Sequence, residues 1–119
     1  MKAITNEILN SIKSETHLRS ALKNYDFSYR DWKIISSITF LSENFIREFK
    51  NNVEWSYLSQ FQKLSENFIN EFKDKVDWNC ISKYQTLSEN FIRNHKDYVD
   101  LSNISACQSL SENFIFTNW

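Results

Sequence analysis

Apolar residues recur along most of the chain in a pattern that repeats every 23 residues. Within one such unit, numbered from its first leucine, positions 1, 5, 6, 9 and 13 are apolar, and so are positions 15, 18 and 21. The first set has the spacing of one face of an α-helix, and the second recurs every three residues along another. The pattern therefore predicts two short helices in each unit: helix A over about positions 2–11 and helix B over about positions 15–22.

The hexapeptide Leu-Ser-Glu-Asn-Phe-Ile marks the start of each clear unit, at Leu41, Leu64, Leu87 and Leu110. Counting back 23 residues from Leu41 gives a degenerate unit that begins at Leu18 and keeps leucine at position 5 and tryptophan at position 15. A repeat of this length is typical of stacked helical units. The predicted segments of the single domain are 1–17 (an N-terminal cap with a helix over about 5–17), 18–40 (a degenerate unit), 41–63, 64–86 and 87–109 (three full units) and 110–119 (a half unit).

Both predicted helices have capping signals. Serine at position 2, followed by glutamate, is a natural N-cap for helix A, and the acidic residue at position 14 caps helix B. Helices this short do not persist alone in water, so each unit must bury its apolar face on its neighbours. We therefore expect an all-α fold, a short α-solenoid of tandem 23-residue two-helix repeats. Layers of about 10 Å predict a compact body, with Trp55 and Trp78 as equivalent core residues.

Composition supports this fold and narrows the function. The chain contains no glycine and no proline, and short helices with tight connections can do without them, although an AT-rich genome would also lower their number. The net charge of −1 gives no global attraction to nucleic acid or to anionic membranes. We find no signal peptide and no membrane span, so a cytoplasmic location is expected. Cys80 and Cys107 lack metal-site spacing, so we expect unpaired thiols and no metal or cofactor.

The consensus Leu-Ser-Glu-x-Phe-Ile-x-x-Phe-Lys-x-x-Val-x-Trp-x-x-Ile-Ser-x-Tyr-Gln is matched best by residues 64–85. It resembles the short repeats of uncharacterised tandem-repeat proteins of giant viruses and some bacteriophages. The likeness covers roughly 41–119, fades across 18–40 and is absent from 1–17. It implies a viral or phage origin, and it brings no catalytic residues with it.

Candidate reactive residues have plainer explanations. The serine at position 19 recurs in four units without a recurring histidine, which favours a small residue at a close helix approach over a row of nucleophiles. His95 and Cys107 replace aromatic residues at positions 9 and 21. A nucleophile and base pair is conceivable there, but erosion of the core is favoured. We expect the asparagine at position 4 to form a hydrogen-bond ladder between units.

A line of basic residues on the A helices is the alternative candidate site. Its members are Arg47, Lys50, Lys73, Arg93 and Lys96. Acidic residues interleave with them, and the arginines have a glutamate four residues earlier for an ion pair within the helix. An ordinary solvated face is favoured over a stripe that follows nucleic-acid phosphates.

The exposed positions of helix B are predicted to be 16, 17 and 20, and their residues differ between units. Among them, Tyr57, Gln60 and Lys83 are candidate partner-binding residues. Varied residues on a repeated frame encode specificity in solenoids, and neutral drift explains the variation equally well.

The half unit ends in unexpected apolar residues. Phe116 and Trp119 stand at positions 7 and 10, which other units give to polar residues. They either seal the end of the core or form an exposed apolar patch, and we favour a patch that a partner or a second copy covers. A homodimer through the half repeat is therefore one expected assembly.

Together these observations predict a non-enzymatic binding protein whose partner is another protein. For a viral or phage protein, the expected partner is a host factor in the host cytoplasm, and inhibition of host defence is one form of this hypothesis. The alternative is a nucleic-acid-binding protein that uses the basic row, and no membrane contact is expected.

Overall fold

The chain is mostly helical, which confirms the prediction of an all-α protein. The computed structural model describes residues 1–38, 40–111 and 114. Nine helices and two short strands lie within these residues. The helices are α1 (Asn6–Ser11), α2 (Glu15–Asn24), α3 (Tyr29–Ser36), α4 (Glu43–Glu48), α5 (Trp55–Phe61), α6 (Glu66–Glu71), α7 (Trp78–Tyr84), α8 (Glu89–Asn94) and α9 (Leu101–Cys107), and the strands are β1 (Lys2–Ala3) and β2 (Tyr25–Asp26).

From α4 onward, equivalent helices begin 23 residues apart. Each A helix starts after a capping serine, as predicted: the Ser42 hydroxyl accepts a hydrogen bond from the Phe45 N–H at 3.1 Å. These helices are shorter than predicted, because the backbone leaves helical geometry at the residue of position 9. In α4 this residue is Phe49, with φ −107° and ψ 28°, and a separate turn follows in which the Val53 N–H donates to the Phe49 carbonyl at 3.1 Å.

One apolar core runs between the A and B helices for the length of the stack. Positions 5, 6 and 18 are its centre, and side chains there are almost fully buried. They are Phe45, Ile46, Leu58, Phe68, Ile69, Ile81, Phe91, Ile92 and Ile104. The core continues at one end to Ile4 and at the other to Phe114.

The core-facing stripe of helix B differs from the predicted one. Position 21 is exposed: Phe61 is 45% and Tyr84 48% accessible, and Cys107 is exposed too. The inner stripe consists of positions 18, 19 and 22, flanked by position 15, the ordinary spacing of one helix face. Trp55 and Trp78 at position 15 are half-buried and pack against the core rather than inside it. Serine and glutamine occupy positions 19 and 22, so a search for apolar residues alone assigned position 21 to the core wrongly.

The stack is elongated, so the prediction of a compact body is wrong. Its principal extents are 56 × 22 × 20 Å, and its radius of gyration is 16.8 Å, where a compact chain of this length would have about 13–14 Å. The reason is that layers with a cross-section of two short helices are added along one axis. The B helices α5, α7 and α9 approach one another more closely than the A helices do.

The N-terminal region departs most from the prediction. The single helix expected over 5–17 is split into α1 and α2, because Ser14 starts a new helix by accepting a hydrogen bond from the His17 N–H at 3.1 Å. Strand β1 pairs with β2 in parallel, and the Ile4 N–H extends this pairing to the Asp26 carbonyl at 3.1 Å.

Helix α2 acts as the A helix of the first layer, but five residues earlier than a unit beginning at Leu18 predicts. Its capping serine lies 28 residues before Ser42, rather than 23. The contacts identify the equivalence: Arg19 binds Glu48 of the next layer just as Arg47 binds Glu71. The extra residues are taken up by the longer α2 and by β2.

Candidate binding surfaces on the two edges of the stack

The stack has two long edges with different chemistry. We call the row of A helices (α2, α4, α6 and α8) the A edge and the row of B helices (α3, α5, α7 and α9) the B edge. Each candidate residue that the structure describes lies on one of these edges.

On the B edge, the recurring serine of position 19 links neighbouring layers. The Ser59 hydroxyl donates to the Trp55 carbonyl at 2.7 Å and accepts from the Asp77 N–H of the next layer at 3.0 Å. Ser36 and Ser82 make the same pair of bonds. The side chain therefore joins its own helix to the cap of the next, which the sequence interpretation as merely a small residue missed.

The glutamine of position 22 adds a second buried link. The Gln85 amide donates to the carbonyls of Ser59 (2.9 Å) and Gln62 (2.6 Å), and its oxygen accepts from the Leu64 N–H at 3.1 Å. Gln108 repeats all three bonds one layer on. Since Gln85 is only 5% exposed, these bonds use both donors of its amide and give its oxygen a partner in place of water.

The outer side of the B edge carries exposed aromatic rings. Tyr57 lies with its ring centroid 6.1 Å from that of Phe61, and the Lys83 ammonium lies 5.3 Å from the centroid of the Tyr84 ring. Phe61 and Tyr84 both line a groove of about 300 Å³ between α5 and α7, together with Gln60. We call the following residues the B-face patch: Tyr57, Gln60, Phe61, Lys63, Lys83 and Tyr84.

The three predicted partner-binding residues that the structure describes, Tyr57, Gln60 and Lys83, thus belong to one surface. The sequence interpretation missed Phe61 and Tyr84 because it placed position 21 in the core. The other two candidates, Phe116 and Trp119, lie outside the described residues.

On the A edge, layers are linked by solvent-exposed hydrogen bonds to half-buried glutamates. Glu43 accepts hydrogen bonds from the Ser65 N–H at 2.7 Å and from its hydroxyl at 3.0 Å, and the same pairing recurs for the next two layers. Bonds from the hydroxyl and the backbone N–H of Ser111 lower the pKa of Glu89. The predicted asparagine ladder is wrong: Asn44, at position 4, is exposed and accepts from Arg47 of its own helix at 2.9 Å.

The basic row is interrupted by ion pairs between layers. Arg47 binds Glu71 of the next layer at 3.0 Å, not Glu43 four residues before it, so the pair predicted within this helix is wrong for Arg47. Its hydrogen bonds to Glu71 raise the Arg47 pKa. The Arg93 guanidinium lies 5.1 Å from the Phe114 ring centroid. The lysines of the row, Lys50, Lys73 and Lys96, are exposed, so a phosphate strand would have to compete with Glu71 for part of the row.

A polar groove of about 540 Å³ lies on the A edge between α6 and α8. Its lining includes Asn70, Asn94, His95 and Tyr98. The His95 Nδ1 lies 2.8 Å from the Phe91 carbonyl oxygen, so Nδ1 is the donor there, and Nε2 lies 2.9 Å from the side-chain amide of Asn70, whose NH2 group donates to the neutral imidazole. These bonds hold the imidazole ring in one orientation on the wall of the groove.

The cysteines do not add a reactive site. Both are unpaired, as expected: Cys107 is exposed, and Cys80 is half-buried. Burial, followed by the nearby Asp77 carboxylate, raises the pKa of Cys80 and so disfavours its thiolate. Because Cys107 is exposed, the core position predicted for it is wrong. Cys107 is on α9 of the B edge, whereas His95 follows α8 of the A edge.

Within the described residues, we find no helix long and apolar enough to cross a membrane. The same part of the chain contains no cluster of three or more His, Cys, Asp or Glu side chains suited to a metal ion. Comparisons with protein-family models, with curated proteins and with solved structures found no match to the chain.

Proposed function

We propose that the chain is a short α-solenoid of tandem 23-residue two-helix repeats that binds another protein through the B-face patch and catalyses no reaction. The regular spacing of α4 to α9 and the bonds that recur between their layers support the solenoid. The exposed rings of Phe61 and Tyr84 carry the assignment of the binding face.

Aromatic residues exposed side by side favour protein recognition. Interfaces are enriched in tyrosine and phenylalanine, and the largest single contributions to binding come from such rings. Phe61 and Tyr84 could have been small or polar at no cost to the core, since nearly half of each side chain is accessible. Their rings and the groove between them offer a place for an apolar side chain of a partner.

The charges around the patch suggest the character of the partner. Lys63 lines the groove, and Lys83 lies over Tyr84, whereas the groove has no acidic residue in its lining. A partner surface with apolar side chains flanked by Asp or Glu would complement it. The resemblance to viral and phage repeat proteins makes a host protein the proposed partner, and a component of host defence is one such protein.

A pair of variants tests the patch. We would capture proteins from host-cell lysate with the parent chain, with Phe61→Ser/Tyr84→Ser, and with the control Tyr98→Ala. Tyr98 is a matched residue, because it is a similarly exposed aromatic on the A edge. We expect one protein to be retained by the parent and by the control and to be lost from the double variant. Capture that is equal for all three chains, or no capture by the parent, contradicts the proposal.

Nucleic-acid binding by the basic row is the weaker alternative, because Glu71 already binds Arg47. If it were the function, a gel shift with single- or double-stranded nucleic acid at low salt would detect a complex that dissociates as salt is added. We expect no shift.

A further inference from the structure

The groove between α6 and α8 differs from the equivalent site one layer earlier. Between α4 and α6, the Arg47 guanidinium lies over the Phe68 ring at 5.3 Å and is bound to Glu71. In the next layer the residues at the two ends of that ion pair are Asn70 and Asn94. Both partners of the bridge are therefore replaced together, and the space over the equivalent phenylalanine, Phe91, is part of the groove.

Two further departures from the repeat fall in the same groove. Position 9 is phenylalanine in the two preceding units and His95 here, and position 12 is Asn52, then Lys75, and Tyr98 here. His95 binds Asn70 directly, so the changes at positions 7 and 9 are coupled by a hydrogen bond. Tyr98 is 39% exposed, and its ring contacts Trp78 at 5.2 Å. Four residues that differ from their equivalents 23 positions earlier, Asn70 and three within 94–98, thus line one cavity.

The lining has the chemistry of a site for hydroxyl groups. Each side-chain amide offers donors and an acceptor, and four asparagines face the groove: Asn67, Asn70, Asn90 and Asn94. The charged lining residues, apart from the histidine, are Lys73 and Glu66, one of each sign, and the Glu66 carboxylate already accepts two bonds from Ser88. With no excess of positive charge, the groove is poorly suited to phosphate.

We propose that this groove binds a short, neutral saccharide. Sugar hydroxyls both donate and accept, as the asparagine amides do. The accessible part of the Tyr98 ring supplies an apolar surface for sugar C–H groups, and the Lys73 ammonium, 6.0 Å from the centroid of that ring, adds a donor beside it. The volume of about 540 Å³ falls within the range of ligand sites. An extended peptide fits less well. Running along the A edge beyond the groove, it would meet the Arg47–Glu71 ion pair, which covers the equivalent site over Phe68.

The most informative variant gives positions 70 and 94 the arginine and glutamate that occupy the equivalent positions one layer earlier. Asn70→Arg/Asn94→Glu should rebuild the ion pair over Phe91 and fill the groove without disturbing the fold, since the neighbouring layer already contains this pair. Asn44→Ala is the matched control, because it removes an exposed amide from the preceding layer of the same edge. Thermal melting checks that both variants are folded.

The test is a printed array of neutral and anionic mono- to tetrasaccharides that also carries a short neutral peptide, followed by an NMR titration of the strongest binder into ¹⁵N-labelled protein. We expect shifts of the Asn70 and Asn94 side-chain amides, binding at least about tenfold weaker in the double variant, and no change in the control. No neutral binder on the array, unchanged binding by the double variant, or a response only to anionic saccharides or to a neutral peptide would overturn the proposal. The B-face patch is on the other edge, so the two proposals can fail independently.

Discussion

The two edges of the stack join neighbouring layers through different kinds of hydrogen bond. On the B edge, neighbouring layers are joined by buried or partly buried bonds from serine and glutamine, and these bonds are the same in layer after layer. On the A edge, the carboxylate bond to the next capping serine also recurs, but it is exposed, and the arginine bridge beside it is present in some layers and replaced in another.

This difference indicates which edge holds the stack together. A buried polar group that loses its partner costs about 1–3 kcal/mol, whereas an exposed ion pair contributes at most about 1 kcal/mol. The B edge therefore tolerates little change at its inner positions, while the A edge can replace Arg47 and Glu71 by two asparagines without losing the fold. Residues on the surface of the stack can therefore vary at positions where their side chains do not bond neighbouring layers together.

Among the substitutions considered, the largest loss in the free energy of unfolding is expected for a residue whose side chain contacts both edges. Trp78 follows a B-edge cap, packs 5.2 Å from Tyr98 and donates from Nε1 to the Lys73 carbonyl at 2.9 Å. We expect Trp78→Ala to lower the free energy of unfolding by about 3 kcal/mol, measured by urea denaturation.

The next unit offers the control for this substitution. Leu101 occupies the same position 15 but is 48% exposed, so Leu101→Ala should cost less than about 1 kcal/mol. Equal losses for the two variants would mean that position 15 does not join the layers as described.

A smaller loss is expected from the buried glutamine. Gln85→Ala leaves the Ser59 and Gln62 carbonyls and the Leu64 N–H without their partner, at a cost of about 2 kcal/mol. Gln60→Ala, at position 20 of the preceding unit and half-buried on the outer side of its helix, should change the free energy of unfolding by less than about 0.5 kcal/mol. Equal losses for the two variants would mean that the buried bonds of Gln85 do not hold the layers of the B edge together.

The smallest effect is expected on the A edge and depends on pH. Bonds from Ser111 lower the folded-state pKa of Glu89 below its ordinary value of 4.5. A carboxylate with a lowered pKa stabilises the folded state above pH 4.5, and this contribution is lost as the pH falls through the folded-state pKa. The difference in Tm between the parent and Glu89→Gln should therefore shrink between pH 7 and about pH 3. A difference in Tm that stays constant over this range would mean that the bonds between Glu89 and Ser111 do not stabilise the fold.

Much of the fold could be predicted from the sequence, because the repeat supplies several copies of each signal. The serine before α4 and the acid before α5 identify both helix starts, and the spacing identifies the core at Phe45, Ile46 and Leu58. The polar members of the inner stripe could not be found by hydrophobicity, which is why Phe61 and Tyr84 were assigned to the core. They are instead the aromatic part of the candidate site.

The N-terminal layer was less predictable for a different reason. Its A helix keeps the roles of Ser14, Glu15 and Arg19, but five added residues shift them away from the 23-residue spacing. A fixed period cannot detect an equivalent that an insertion has moved. The polar groove had a partial signal in the sequence, the change to His95, but the meeting of Asn70 and Asn94 depends on which positions face each other across layers.

Hydrogen exchange at two adjacent residues tests most directly whether the B edge holds the layers together. The Leu64 N–H donates to Gln85 in a buried bond, whereas the next N–H along the chain, that of Ser65, donates to half-buried Glu43 in a solvent-exposed bond. We predict that the Leu64 amide exchanges only when the whole domain unfolds, with a protection that matches the global free energy of unfolding, while the Ser65 amide exchanges faster through local opening. Equal protection of the two amides, or stronger protection of Ser65, would contradict the assignment of the stabilising links to the B edge.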